Sequence, residues 1–276
     1  MGLRPSSVTP PAQVQTPGAA RTLDLRWPFG MGTGDASFLQ RLGQSSGIGV
    51  TNSIENTAAW NVVNSLGIAI TRANMGATGG AWFYPGATVY SWLTERPGGV
   101  VSMTRNCFDF GIVCRFDAPT AALLGDVGVG ICCGTNSEMN GPQAAPVTNP
   151  GVMFGPTGPG AVSLRSRLAG AGPYVVNELL APTITPDVTE YHDWRLRVVT
   201  GSSNFDPYLV GMIDGIEVTQ RYAWTAAAGK LPSPSAFAAN NTAFKPLWAC
   251  RAGGNIANWD FAEAYLRAAE TVEGLL

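Results

Sequence analysis

The chain is short of charge. Asp, Glu, Lys and Arg make up 13% of its 276 residues, about half of the ~25% usual in soluble domains. Lysine is nearly missing: Lys230 and Lys245 are the only two among 17 basic residues. A free monomer ordinarily stays soluble with many charges of both signs, and interfaces favour arginine over lysine. The composition therefore predicts an exterior largely covered by partners, although a GC-rich genome would also exchange lysine for arginine. The net charge is −2 and no basic run occurs, so nucleic acid and anionic membrane have no electrostatic footprint.

Metal and redox ligands are equally scarce. There is one histidine, and the five cysteines, Cys107, Cys114, Cys132, Cys133 and Cys250, have spacings that match neither a zinc ribbon nor a small disulfide scaffold. They read as buried free thiols. Long apolar runs are absent too: Leu66–Ile70 and Val127–Cys133 fall far below the ~20 residues that cross a bilayer. The start of the chain lacks the apolar core of an export signal. The expectation is a protein made in the cytoplasm and kept soluble, with no membrane contact. No repeat of roughly 20 to 50 residues is visible, against a propeller or solenoid.

Glycine and proline are abundant, at 34 and 20 residues. Residues 1–21, rich in Pro, Ser, Thr, Gln and Ala, read as an extended or disordered N-terminal arm that docks on a neighbour. From Leu23 on, short apolar stretches are cut by Gly, Pro, Asn and Ser, the punctuation of strands joined by turns. Residues 22–276 are thus expected to form one β-sandwich domain. Predicted strands are Trp60–Val63, Gly67–Arg72, Ala81–Tyr84, Thr88–Leu93, Val100–Thr104, Phe108–Phe116, Asp126–Cys133, Val152–Phe154 and Val162–Leu168. A Pro/Gly-rich loop is predicted over 134–160. It ends in Gly155-Pro156-Thr157-Gly158-Pro159-Gly160, too short a glycine repeat for collagen.

The clearest strand is Trp194-Arg195-Leu196-Arg197-Val198-Val199, whose alternation puts Trp194, Leu196 and Val198 on a buried face and the arginines opposite. Tyr208–Ile213 and Ile216–Gln220 flank Asp214-Gly215, a dipeptide that marks a tight hairpin because both central residues of a type I′ turn need positive φ. Trp259–Leu266 reads as a closing strand rather than a helix capped by Asp260, and Arg267–Glu273 as a short terminal turn or helix.

The succession of Trp194-Arg-Leu-Arg-Val-Val, Met212-Ile-Asp-Gly-Ile-Glu-Val218 and Trp259-Asp-Phe-Ala-Glu-Ala-Tyr-Leu-Arg-Ala268 resembles the C-terminal half of concanavalin-like sandwich domains of the laminin-G and pentraxin type. The resemblance covers roughly Tyr191–Ala268. It implies an all-β, antiparallel jelly-roll sandwich. Such domains occur in secreted lectins, in glycoside hydrolases and in tailed-bacteriophage virions, and fold alone does not choose among these.

Catalytic patterns are incomplete. The paired acids of a sandwich glycosidase are lacking: Asp214 with Glu217, and Asp260 with Glu263, have the wrong spacing for one strand face. Gly43-Gln44-Ser45-Ser46-Gly47 fits a nucleophile elbow, but its setting reads as a loop rather than strand–turn–helix. His192, beside Trp194, reads as a structural histidine. Gly30-Met31-Gly32-Thr33-Gly34-Asp35 lacks the Lys-Ser/Thr of a phosphate loop. The Asn240-Asn241-Thr242 sequon has no meaning without secretion.

Binding residues are easier to name. Asn204, Asp206 and Asp214 are the candidates for a loop calcium, with no other cofactor implied. Trp82, Tyr84, Tyr90, Trp92 and Trp224 are the aromatics that could stack on a glycan. The expected function is structural and not enzymatic. The chain would be a capsid decoration, cement or tail-associated protein of a tailed-phage virion, contacting copies of itself and other virion proteins. A lectin-like module that attaches to host-surface glycan is the alternative.

Overall fold

Strand after strand, the inward positions are large and apolar, and this alternation builds two layers. The computed structural model describes residues 23–28, 50–55, 59–65, 68–75, 80–85, 94–95, 103–104, 106–123, 127–133, 151–167, 176–180, 186–200, 206–224, 244–251 and 255–276. Strands β1 (Leu23–Pro28), β2 (Val50–Glu55), β3 (Ala59–Ser65), β4 (Ile68–Asn74), β5 (Gly80–Pro85), β6 (Thr94–Glu95), β7 (Met103–Thr104), β8 (Cys107–Phe116) and β9 (Val127–Cys133) come first. They are followed by β10 (Gly151–Gly158), β11 (Ala161–Arg167), β12 (Val176–Leu180), β13 (His192–Val199), β14 (Tyr208–Ile213), β15 (Ile216–Glu217), β16 (Tyr222–Ala223), β17 (Phe244–Cys250) and β18 (Asn258–Ala269).

Sheet one runs β15-β14-β13-β8-β18-β4-β3, and sheet two runs β12-β11-β10-β9-β17-β5-β2, with every pairing antiparallel. Half of the neighbouring pairs along each sheet are consecutive strands and the other half are distant in sequence, because the chain crosses repeatedly from one layer to the other, as in a jelly roll. The protein therefore has the all-β, antiparallel jelly-roll sandwich architecture that the sequence resemblance implied. Strand β18 ties sheet one together. Its first half pairs with β4, a bulge falls between Phe261 and Glu263, and its second half pairs with β1, while β8 lies along its whole other side.

Phe108, Phe110, Ile112, Trp194, Leu196, Val198, Trp259 and Phe261 of sheet one meet Phe83, Val129, Ile131, Phe154 and Trp248 of sheet two in one core. Burying a side chain of this size contributes about 1.5–3 kcal/mol. Phe83 stacks on Trp248, Trp259 and Phe261 with ring centroids 5.2 to 5.7 Å apart, which joins the layers through aromatic contact. Trp248 Nε1 donates to the Gly111 carbonyl at 2.9 Å, a direct hydrogen bond between the sheets. Beyond β18, a 3-10 turn at Glu273–Leu275 folds Leu275 against Cys107, Val199 and Ala269.

Several sequence expectations are refined. The closing strand extends to Ala269, and the terminal helical piece shrinks to the 3-10 turn. Gly155–Gly158 is not loop: it continues β10, with Gly155 and Pro156 in register with Ser163 and Val162 and a bulge before Gly158, so the turn is confined to Pro159-Gly160. Gly155 fits there because a Cβ would collide with the Val127 carbonyl oxygen on the neighbouring strand. The hairpin at Asp214-Gly215 has the predicted positive φ at both positions, 51° and 81°. Its second strand is only Ile216–Glu217 rather than Ile216–Gln220. Cys107, Cys114 and Cys250 are free and buried. The arm at 1–21, the segment 134–150 and the predicted strand at Thr88–Leu93 lie outside the described residues.

Candidate binding face

The outer face of sheet one is built by the same alternation that builds the core. Because Trp194, Leu196 and Val198 point inward, Arg195 and Arg197 point outward, as do Asp109 and Gly111 between the buried residues of β8. Register then aligns these positions in rows. One row reads Val210, Arg197, Asp109, Arg267, Asp24, and the next reads Met212, Arg195, Gly111, Tyr265, Arg26. In the first row base and acid thus alternate across four strands, where cross-strand opposite charges attract.

Asp109 is the centre of the first row and is fully buried. Arg197 Nε and Nη2 donate to its two oxygens at 2.7 and 2.9 Å, and Arg195 Nη1 approaches at 3.4 Å. The Arg197 guanidinium is itself only 2% exposed. Burial works against its charge, but the hydrogen bonds and charge of Asp109 more than compensate, and its pKa rises.

Tyr265 is the centre of the second row. Its ring lies over Gly111, where a Cβ would collide with the ring, so only glycine leaves room. Arg195 and Arg26 hold their guanidinium groups 5.5 and 5.6 Å from the ring centroid. The phenol donates to Asp193 at 2.6 Å and accepts from Arg195 Nε at 2.7 Å. Burial, reinforced by the Asp193 carboxylate, pushes the phenol's pKa up, which keeps it a donor.

A second node lies further along β18. Asp260, nearly buried, receives Arg72 Nε and Nη2 at 2.6 and 2.7 Å from β4 and Arg115 Nε at 3.0 Å from β8. Arg115 also covers the Tyr191 ring at 5.1 Å. At the exposed margin Arg26 bridges Asp24 and Glu263, and Arg221 pairs with Glu217 and covers Tyr208 at 4.7 Å. The cations of both rows and both nodes are all arginines, and each has a carboxylate partner.

The residues singled out from sequence fare differently. Trp82 and Trp224 are each 1% exposed, so neither presents a ring face to a sugar. Tyr84 has its backbone in β5 and its side chain outside the described residues, where Tyr90, Trp92, Ser45 and Asn204 also lie. Asp206 is exposed. Asp214 accepts the Asp193 N–H at 2.9 Å and meets His192 Nδ1 at 2.7 Å, so the histidine holds the hairpin turn. Among the described residues no group of three His, Cys, Asp or Glu side chains is placed to hold a metal ion. Asp109 escaped the sequence reading, and Asp260 entered it only as a rejected catalytic partner of Glu263 and a rejected helix cap. The available signal was an acid between two phenylalanines, Phe108-Asp109-Phe110, in a strand facing the arginine strand.

Fold and face together define an antiparallel jelly-roll sandwich with an arginine–carboxylate–tyrosine outer sheet. No family model matches the chain, and no curated protein does. Solved structures that resemble it include the Emp47p carbohydrate recognition domain, at 12% identity over 80% of this chain and 89% of that one, with a TM-score of 0.44. Alginate lyase vAL-1 from a Chlorella virus matches at 11% identity over 86% of this chain and 99% of that one, with a TM-score of 0.47. A tail fibre protein from an E. coli phage matches at 11% identity over 80% of this chain and 20% of that one, with a TM-score of 0.32. The likeness concerns the overall fold.

Proposed function

We propose that this chain acts by binding rather than by catalysis, as a structural protein of a tailed-phage particle, in the role of a capsid decoration, cement or tail-associated component. The observation that carries the reading is the outer face of sheet one. Its partly exposed arginines, Arg26, Arg72, Arg115 and Arg195, of the residue type enriched where proteins dock, are already held in place by Glu263, Asp260 and Asp193. Fixing these long side chains beforehand lowers the entropy lost on association. The same pairing argues against acid–base chemistry here, because each carboxylate is committed to a fixed cation or phenol rather than poised to exchange a proton. Low total charge and the near-absence of lysine in the whole chain support the same reading.

The mass in solution, measured by light scattering with and without residues 1–21 and in an Arg26→Glu, Arg72→Glu variant, tests it. A discrete oligomer that is weakened by the charge reversals supports the reading. A monomer in every form, together with failure to bind purified particles, overturns it. Glycan attachment is the alternative occupation of the fold, and a glycan array run on the same samples decides it.

A further inference from the structure

The hairpin of β14 and β15, at the edge of sheet one, holds a recess of about 200 Å³ lined by Pro186, His192, Ile213, Asp214, Ile216 and Val218. It takes no part in the outer face described above. Its walls are aliphatic, and Ile216 stands 61% exposed beside it. The exposed Ile216 side chain extends the apolar lining of the recess toward solvent.

The rim narrows the answer. The Asp214 side chain is 52% exposed and the positive φ of its residue holds it at the turn, with one oxygen bound by the Asp193 N–H and the other by His192. A carboxylate has about four lone-pair positions, so acceptor capacity remains toward solvent. The other ring nitrogen of His192 faces the Asp187 carbonyl at 3.1 Å. The Asp187 carboxylate is held ionised by the Thr189 hydroxyl and N–H. An aliphatic floor with the Asp214 carboxylate at its lip complements one shape of side chain: an apolar stem ending in a cation.

We propose that this recess receives the side chain of a lysine on a protein partner, its four-carbon stem against Ile213, Ile216 and Val218 and its ammonium at Asp214. Lysine fits better than arginine, because a flexible stem with a compact charge can bend from the recess to the lip, whereas arginine carries a rigid planar fork.

The probe is Nα-acetyl-lysine methylamide, titrated into the whole chain by NMR on labelled isoleucine and valine methyls, beside its uncharged norleucine counterpart. Both are expected to shift Ile213, Ile216 and Val218. The lysine probe should bind about threefold tighter at low salt, the contribution of one exposed ion pair, and the advantage should fade as salt is raised. Asp214→Asn, which tolerates the positive φ of the turn, should bring the lysine probe down to the norleucine value, and Ile216→Ser should weaken both. Unchanged norleucine binding in Asp214→Asn confirms that the variant is folded. Equal binding of the two probes, or lysine binding that survives Asp214→Asn, or no saturable shift, overturns the proposal. None of these outcomes bears on assembly through the outer face, which the scattering experiment reads separately.

Discussion

Replacing Asp109 by asparagine removes one charge and almost no volume, and the structure says that this should be costly. Asp109 is fully buried and Arg197 is 2% exposed, joined by two hydrogen bonds of 2.7 and 2.9 Å. After the change the Arg197 guanidinium stays buried without its counter-charge, and Arg195 loses a second partner at 3.4 Å while keeping Asp193. Breaking a buried pair by removing one member costs about 3–5 kcal/mol. For a chain of this size each kcal/mol moves the melting temperature by about 2–4 °C, so a fall of roughly 6–20 °C is expected. Scanning calorimetry reads it, with urea melts to check that the slope is unchanged and only stability has moved. The double change Asp109→Leu, Arg197→Met removes both charges and should recover most of the loss, since a buried pair is often no better than apolar groups of equal size. A single variant within about 1 kcal/mol of the parent, or a double variant as unstable as the single, would refute the view that these charges matter through mutual neutralisation.

Two further outcomes follow from neighbouring groups. Gly111→Ala puts a methyl where the Tyr265 ring lies, so the ring must leave its contacts with Asp193 and Arg195; overpacking of this kind costs about 1–3 kcal/mol, measurable by the same melts. Burial pushes the Cys107 thiol up to about 12 from an ordinary value of 9.0. The folded state therefore keeps a proton that the unfolded state releases. The stabilisation is fully present below pH 9 and is lost as pH rises toward 12. Denaturant melts across that range should show the parent losing stability faster than Cys107→Ala, and equal slopes would remove Cys107 from the account.

How far the fold is legible in advance depends on the kind of information each segment carries. β13 is plain because two arginines alternate with Trp194, Leu196 and Val198, so parity alone orients it. Asp214-Gly215 is plain because its backbone requirement is local. Gly155–Gly158 misleads for the opposite reason: glycine and proline are read as punctuation, yet here Gly155 lies in a strand where the Val127 carbonyl comes too close for a side chain, and Pro156 and Gly158 stay in register with Val162 and Ala161. Trp82 and Trp224 offer no local sign of their burial, since an aromatic on a strand suits a core and a sugar platform equally.

The outer face shows why a site of this kind resists sequence reading. Asp109, Arg195, Arg267 and Asp24 belong to four strands, and nothing near any of them states that β13, β8, β18 and β1 are neighbours. Parity says which side of a strand a charge occupies, whereas register says which charge it meets, and register here depends on crossings between layers far apart in the chain. Once the register is known, the scarcity of charge takes on a different meaning. Many of the ionised groups are gathered in opposite pairs on one sheet, where they cancel and do little to hold copies of the chain apart. A surface neutralised in this way keeps its hydrogen-bonding geometry while losing its repulsion.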